Sequence, residues 1–113
     1  MLNYQECLEN VNKGMLQLTE ELAKEMNGFM TLHNAALSNR ALDTKTKELI
    51  ALGISIIIKC EPCITSHMDS LINLGVTREE VLDTMAVAMF MGGGPAVAYS
   101  CKALESFEEF TNK

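Results

Sequence analysis

The sequence predicts an all-α protein, in which about six helices form an orthogonal or bundle-like array. Apolar residues recur at three- and four-residue spacing along most of the chain, which is the period of a helix with one buried face. No segment shows the strict alternation of a half-buried strand, and capping residues, Gly and Pro divide the helical pattern at short intervals. The 113 residues fit one domain spanning residues 1–113.

The N-terminal third is predicted to form two helices. The first covers about residues 4–26, where apolar side chains lie on one face at Leu8, Val11, Met15, Leu18 and Leu22. Gly14 weakens the middle of this helix and is a candidate point of division. A shorter helix is expected over about residues 28–37, followed by a loop over residues 38–40.

A third helix is predicted over residues 45–59, with Asp43 or Thr44 as its N-cap. From Leu49 to Ile58 this helix is apolar nearly all round, and such a helix has to be buried on all sides. A domain of this size buries only about 60–70% of the surface of its unfolded chain, so one copy has difficulty enclosing the helix. We therefore expect a homo-oligomer.

Three further helices are predicted over about residues 61–75, 77–91 and 95–110. A proline near the start of the first and of the last of them suits the first turn of a helix, where its missing N–H has no partner to lose. Thr77 and Glu80 have the spacing of a capping box. Three consecutive glycines and a proline separate the last two helices.

Composition excludes several classes of partner. Nine Lys and Arg stand against fifteen Asp and Glu, giving a net charge of −6, and there is no basic cluster or Trp with which to bind nucleic acid. The uncharged run over residues 84–101 is interrupted by glycines and Pro95, so two packed helices explain it better than a membrane span. No secretory signal pattern is present at the start of the sequence. We expect a cytoplasmic protein without nucleic-acid or membrane partners.

The strongest chemical signal is the segment Cys60-Glu61-Pro62-Cys63-Ile64-Thr65-Ser66-His67. At about 100° per residue, Cys60, Cys63 and His67 project from the same side of a helix. Cα atoms three residues apart in a helical turn lie about 5–5.5 Å from each other, a distance that a disulfide can bridge. The two cysteines can therefore alternate between dithiol and disulfide with little backbone motion. Cys7 and Cys101 are expected to be inert.

Several groups around the cysteine pair affect thiolate formation in opposite directions. The first turn of a helix favours a thiolate through its free N–H groups and its dipole, and a protonated His67 adds to this. Glu61 opposes it, because a neighbouring anion raises the pKa of a thiol. If the helix over residues 45–59 folds back antiparallel on the next one, Glu48 lies opposite residues 67–71. A relay from Glu48 through His67 to Cys63 and Cys60 then has the order carboxylate, imidazole, thiol.

These residues resemble a known family. Eleven residues separate Glu48 from Cys60, three separate Cys63 from His67, and Gly75 and Glu79-Glu80 follow, a pattern similar to the AhpD-like branch of the carboxymuconolactone decarboxylase family. The resemblance covers about residues 30–110. It implies an all-α fold, a homotrimer or homohexamer, and thiol-dependent peroxidase or disulfide reductase activity.

The resemblance also implies a role for each residue. Cys63 would react with the peroxide, Cys60 would resolve the product, and Glu48 and His67 would relay protons. An external dithiol, carried by a lipoyl group or a thioredoxin-like protein, would reduce the pair again, and neither a cofactor nor a metal is expected.

Two alternatives stay open at this stage. The best-studied AhpD pattern has His directly before the second cysteine, whereas this chain has Pro62, which cannot relay protons. This difference favours a dithiol–disulfide oxidoreductase without peroxidase activity. In the other alternative, a decarboxylase-like small-molecule module, the cysteines and His67 bind zinc, with Glu48 as a fourth ligand.

Overall fold

A computed structural model describes residues 3–112, and six helices make up most of this range. In chain order they are α1 (Tyr4–Glu21), α2 (Ala23–Leu37), α3 (Thr44–Ile57), α4 (Glu61–Asn73), α5 (Arg78–Gly92) and α6 (Gly94–Thr111). No strand occurs among the described residues. The predicted all-α class and the number of helices are confirmed.

The predicted division of the N-terminal region was wrong. Helix α1 continues through Gly14 and ends at Glu21, and α2 begins at Ala23 instead of near residue 28. The chain turns at Leu22, whose backbone has φ −129° and ψ 55°. A single helical glycine costs only about 1 kcal/mol relative to alanine, and the hydrogen bonds of α1 outweigh that cost. Leu22 carries no turn signal, so the sequence pattern could not show the break.

The starts of α3 and α5 follow their predicted capping. The Asp43 carboxylate accepts a hydrogen bond from the backbone N–H of Thr46. Hydrogen bonding by the side chain of Thr46, together with this backbone bond, lowers the pKa of Asp43. Thr77 and Glu80 form a complete capping box at the start of α5. Backbone and side-chain caps of this kind satisfy N–H groups that have no partner within the helix.

The core is formed by α3, α4, α5 and α6, with α1 across one end. Seven apolar side chains among the described residues are fully buried: Leu52, Ile56, Ile64, Met68, Leu71, Val81 and Ala103. Helix α1 is attached through buried Tyr4, whose backbone N–H donates to Glu109 at 3.1 Å and whose hydroxyl donates to Glu105 at 2.8 Å. Helix α2 contributes no buried residue.

Two close turns place α3 against its neighbours. Lys59 adopts a positive φ of 59°, and the N–H of Cys60 donates to the carbonyl of Ser55 at 3.0 Å, so α4 folds back along α3. At the α5–α6 turn, a Cβ on Gly92 would lie 2.6 Å from Cδ1 of Ile57. The glycine therefore permits the close approach of this turn to α3.

The apolar surface of α3 is not enclosed within one chain. Ile50, Ile54, Ile57 and Ile58 are 47%, 55%, 42% and 62% exposed. The expectation that this helix is buried on all sides is therefore not met by a single copy, because α3 packs mainly on α4, α5 and α6 and these four side chains stay exposed.

The uncharged run over residues 84–101 does not form one continuous helix. Residues 84–101 are divided between α5 and α6 at Gly93. None of the helices in residues 3–112 has the length and apolar character needed to cross a bilayer.

Candidate redox site

The cysteine pair lies at the start of α4. Cys60 is the N-cap residue of this helix, and its Sγ accepts a hydrogen bond from the backbone N–H of Cys63 at 3.2 Å. The two sulfur atoms are bonded to each other as a disulfide, with 5.2 Å between the Cα atoms. This separation agrees with the spacing expected for one helical turn. The pair can therefore close while the first turn of α4 stays formed.

Both cysteines are half-buried, and Pro62 between them is exposed. The pair is therefore at the surface end of α4, where a small molecule or a partner thiol can reach it. The other two cysteines, Cys7 and Cys101, are free thiols, the first half-buried and the second exposed. Neither takes part in the disulfide.

A buried carboxylate and the imidazole lie together beside this pair. Nδ1 of His67 is 2.5 Å from Oε1 of Glu48, across the α3–α4 contact. The Glu48 side chain is 7% exposed and that of His67 is 23% exposed. The antiparallel packing of α3 and α4 that the sequence predicted brings these two residues together. Because Glu48 engages Nδ1, Nε2 is the ring nitrogen left for proton exchange with other groups.

His67 lies one helical turn after Cys63 on α4. Along α4 the order is therefore Cys60, Cys63 and His67, and Glu48 reaches His67 from α3. A carboxylate that holds an imidazole one helical turn from a thiol suits acid–base-assisted thiol chemistry.

A second carboxylate, that of Glu61, belongs to the cysteine motif itself. Oε2 of Glu61 is 3.7 Å from Nζ of Lys102 on α6, and Oε1 of Glu61 is buried without a hydrogen-bond partner in the described part of the chain. Tyr4 lies close enough for the charge of Glu61 to affect it. Burial, the hydrogen bond to Glu105 and these negative charges all raise the pKa of Tyr4.

Lys102 and Tyr4 were not predicted as neighbours of the site. They reach Glu61 from α6 and α1, and neither shows a local pattern that would connect it with the cysteine motif. Only the packing of both helices against α4 brings them there.

No group of three or more His, Cys, Asp and Glu side chains in residues 3–112 is arranged to hold a metal ion. Thiols joined in a disulfide cannot act as thiolate ligands, so the zinc alternative concerns the reduced protein. Metal analysis of protein purified without chelator tests it, since a tight site stays occupied through purification.

The fold and the disulfide define an all-α protein with a cysteine pair that can be oxidised and reduced. The model of the carboxymuconolactone decarboxylase family matches residues 23–106, and the chain belongs to this family.

Solved structures of proteins from two organisms are similar to the structure of this chain. A family protein from Legionella pneumophila, in its apo form, superposes with a TM-score of 0.94 at 40% identity, and the match covers 96% of each chain. A family protein from Thermotoga maritima, described in connection with an antioxidative response, has a TM-score of 0.73 at 25% identity, over 88% of this chain and 91% of the other.

Curated relatives are similar in sequence. An uncharacterised protein of Cupriavidus necator is 30% identical over 101 residues, or 89% of each chain. The alkyl hydroperoxide reductase AhpD of Frankia alni is 37% identical over 71 residues, which are 63% of this chain and 37% of that protein.

Proposed function

We propose that the protein is a thiol-dependent peroxidase of the alkyl hydroperoxide reductase type, with Cys60 and Cys63 as its redox pair. The observation that carries the proposal is the Cys60–Cys63 disulfide at the start of α4, one turn from an imidazole held by the buried carboxylate of Glu48. The similarity to AhpD of Frankia alni supports it.

In the first step, the thiolate of Cys63 attacks a peroxide oxygen and breaks the O–O bond. Cys63 becomes a sulfenic acid, and the leaving alkoxide takes a proton to become an alcohol. His67 supplies that proton, and Glu48 holds the imidazole in place while its charge changes. One peroxide is thereby reduced by two electrons.

In the second step, the Cys60 thiol gives up its proton and its sulfur attacks the sulfenic sulfur of Cys63. The S–O bond breaks, the leaving hydroxide takes that proton to become water, and the disulfide forms. The 5.2 Å between the two Cα atoms suits this step. An external dithiol then returns two electrons and two protons by thiol–disulfide exchange. We propose a lipoyl group or a thioredoxin-like protein in the cytoplasm as the source of this dithiol.

The chain is also proposed to work as a homotrimer or homohexamer. The exposed isoleucines of α3 support self-association, because a contiguous apolar face of this kind marks an interaction surface more often than free surface.

A second candidate is dithiol–disulfide exchange without peroxide reduction. Pro62 is the observation that favours it, because proline cannot supply a proton between the cysteines. In this candidate the disulfide accepts electrons from one dithiol and donates them to another, and peroxide turnover is negligible.

Matched cysteine variants test the first candidate. Cys63→Ser should abolish peroxide consumption, and Cys60→Ser should leave a sulfenic acid on Cys63 that a dimedone-type reagent traps. Cys101→Ser, which removes an exposed free thiol, serves as the control and should keep wild-type activity. Equal peroxide consumption by Cys63→Ser and wild type would contradict the assignment. Disulfide reduction without peroxide consumption in the wild type would favour the second candidate.

A further inference from the structure

One helix of the chain lies on the structure without burying any side chain. None of the fifteen residues of α2 is buried, although the helix is rich in apolar residues. Leu22, Phe29 and Leu32 are 46%, 56% and 64% exposed, and Ala36 is exposed as well. Phe29, Leu32 and Ala36 have the i, i+3, i+7 spacing of one helical face. Leu22, Phe29, Leu32 and Ala36 are called the α2 face below.

An apolar groove runs between α3 and α5. It encloses about 430 Å³, and its walls include Ile50, Ile54 and Ile57 from α3 and Val87 and Met91 from α5. No charged residue lines it. This groove is called the α3–α5 groove below.

The accessible surface of the chain is larger than its mass requires. It amounts to 7060 Å², whereas a compact monomer of 12.5 kDa is expected to expose about 6200 Å². The surplus of about 900 Å² is enough for one standard protein interface, to which each partner contributes roughly 800 Å². A small ligand in the groove would leave the α2 face exposed. A protein partner can cover both surfaces, so it accounts for more of the surplus accessible area.

The two surfaces have opposite curvature and the same apolar character. The α2 face is a convex helical ridge, the α3–α5 groove is concave, and an apolar helix laid in an apolar groove is a recurring mode of protein recognition. Every copy of the chain carries both surfaces, so a second copy supplies the missing half of each.

We infer that the α2 face of one copy packs in the α3–α5 groove of the next copy. This pairing joins two different surfaces, and repeated pairing of this kind generates a closed ring when the rotation between copies allows it. It also fixes the outer side of α3, the helix that carries Glu48. The inference deepens the self-association proposed above and rests on it.

Two variants that each damage one surface provide the test. Phe29→Glu places a charge on the α2 face and leaves the groove intact, while Ile54→Glu places a charge in the groove and leaves the α2 face intact. Each variant alone should be a monomer by light scattering at micromolar concentration. An equimolar mixture should form a heterodimer, because one intact ridge and one intact groove remain. Leu16→Glu, at a 66% exposed leucine of α1 outside both surfaces, should assemble like the wild type.

Cross-linking provides an independent readout that does not require a destabilised interface. In a background with Cys7→Ser and Cys101→Ser, a Leu32→Cys chain mixed with an Ile54→Cys chain should form an intermolecular disulfide. An Ile54→Cys chain alone should form none. Circular dichroism of each variant, with wild-type helical content, shows that it is folded.

The outcomes separate this inference from self-association itself. A monomeric wild-type protein overturns both. A wild-type oligomer whose two Glu variants do not complement each other, and whose Cys chains do not cross-link when mixed, overturns the α2-in-groove pairing alone. Cross-linking of Ile54→Cys to itself likewise overturns it, because the groove would then pair with a second groove.

Discussion

The unequal burial of Glu48 and His67 predicts that two substitutions of similar size lower the free energy of unfolding by different amounts. The Glu48 side chain is 7% exposed and that of His67 is 23% exposed, so water can reach the imidazole more easily than the carboxyl group. His67→Leu removes the hydrogen-bond partner of a buried carboxyl group. Glu48→Leu removes the partner of an imidazole that water can still solvate.

The expected energies follow from this difference. A buried polar group left without a partner costs about 1–3 kcal/mol, so His67→Leu should lower the free energy of unfolding by that amount. Glu48→Leu should cost less than about 1 kcal/mol, because a bond to water replaces the lost bond. Replacing both members of a buried polar pair by apolar residues is often neutral or stabilising, so the double variant should recover most of the loss.

Urea unfolding of the oxidised protein at pH 7 and one fixed protein concentration measures all four members of this cycle. His33→Leu is the matched control, because the imidazole of His33 is hydrogen-bonded to its exposed neighbour Asn34, and it should change stability by less than about 0.5 kcal/mol. Equal losses in both single variants, or a coupling energy below about 0.5 kcal/mol, would refute the reasoning. The double variant should also be folded and inactive with peroxide.

Two further predictions concern Glu61 and the residues near it, Lys102 and Tyr4. Lys102→Met leaves the charge of Glu61 without its cation, so alkylation of reduced Cys63 at pH 7 should slow by at most about fivefold, since a part-exposed ion pair is worth about 0.2–1 kcal/mol. Glu61→Gln should accelerate it and Lys102→Arg should not change it; a rate unaffected by all three would exclude this electrostatic role. Folding raises the pKa of Tyr4 above its ordinary 10.0, so the unfolded chain ionises first and the free energy of unfolding should fall as pH rises above 10. Tyr4→Phe should cost about 1 kcal/mol at pH 7 through the lost bond to Glu105 and should flatten this alkaline fall, and an unchanged pH profile would contradict it.

Local patterns were sufficient for part of the fold and for the contact at the centre of the site. Periodicity and caps indicated six helices, and an antiparallel turn near Lys59 was the condition under which Glu48 was expected to lie opposite residues 67–71. Once α3 and α4 are antiparallel, the position of Glu48 opposite His67 follows from 1.5 Å per residue along each helix. The 2.5 Å contact between them confirms that placement.

Other features depend on packing that no local pattern encodes. The break at Leu22 has neither Gly nor Pro, so no residue type marks it in the sequence. The proximity of Lys102 and Tyr4 to Glu61 requires three helices to meet. The apolar character of α3 indicated more burial than one chain supplies, because its outer face is open.

A peroxide challenge of the reduced protein tests the proposed redox activity most directly. The protein is exposed to stoichiometric hydrogen peroxide or an organic hydroperoxide, quenched over seconds, and its thiols are mapped by intact mass and peptide mass. The account predicts a rapid loss of two hydrogens that maps to Cys60–Cys63, with Cys7 and Cys101 still free. A pair that stays reduced for minutes under these conditions would contradict the peroxidase assignment.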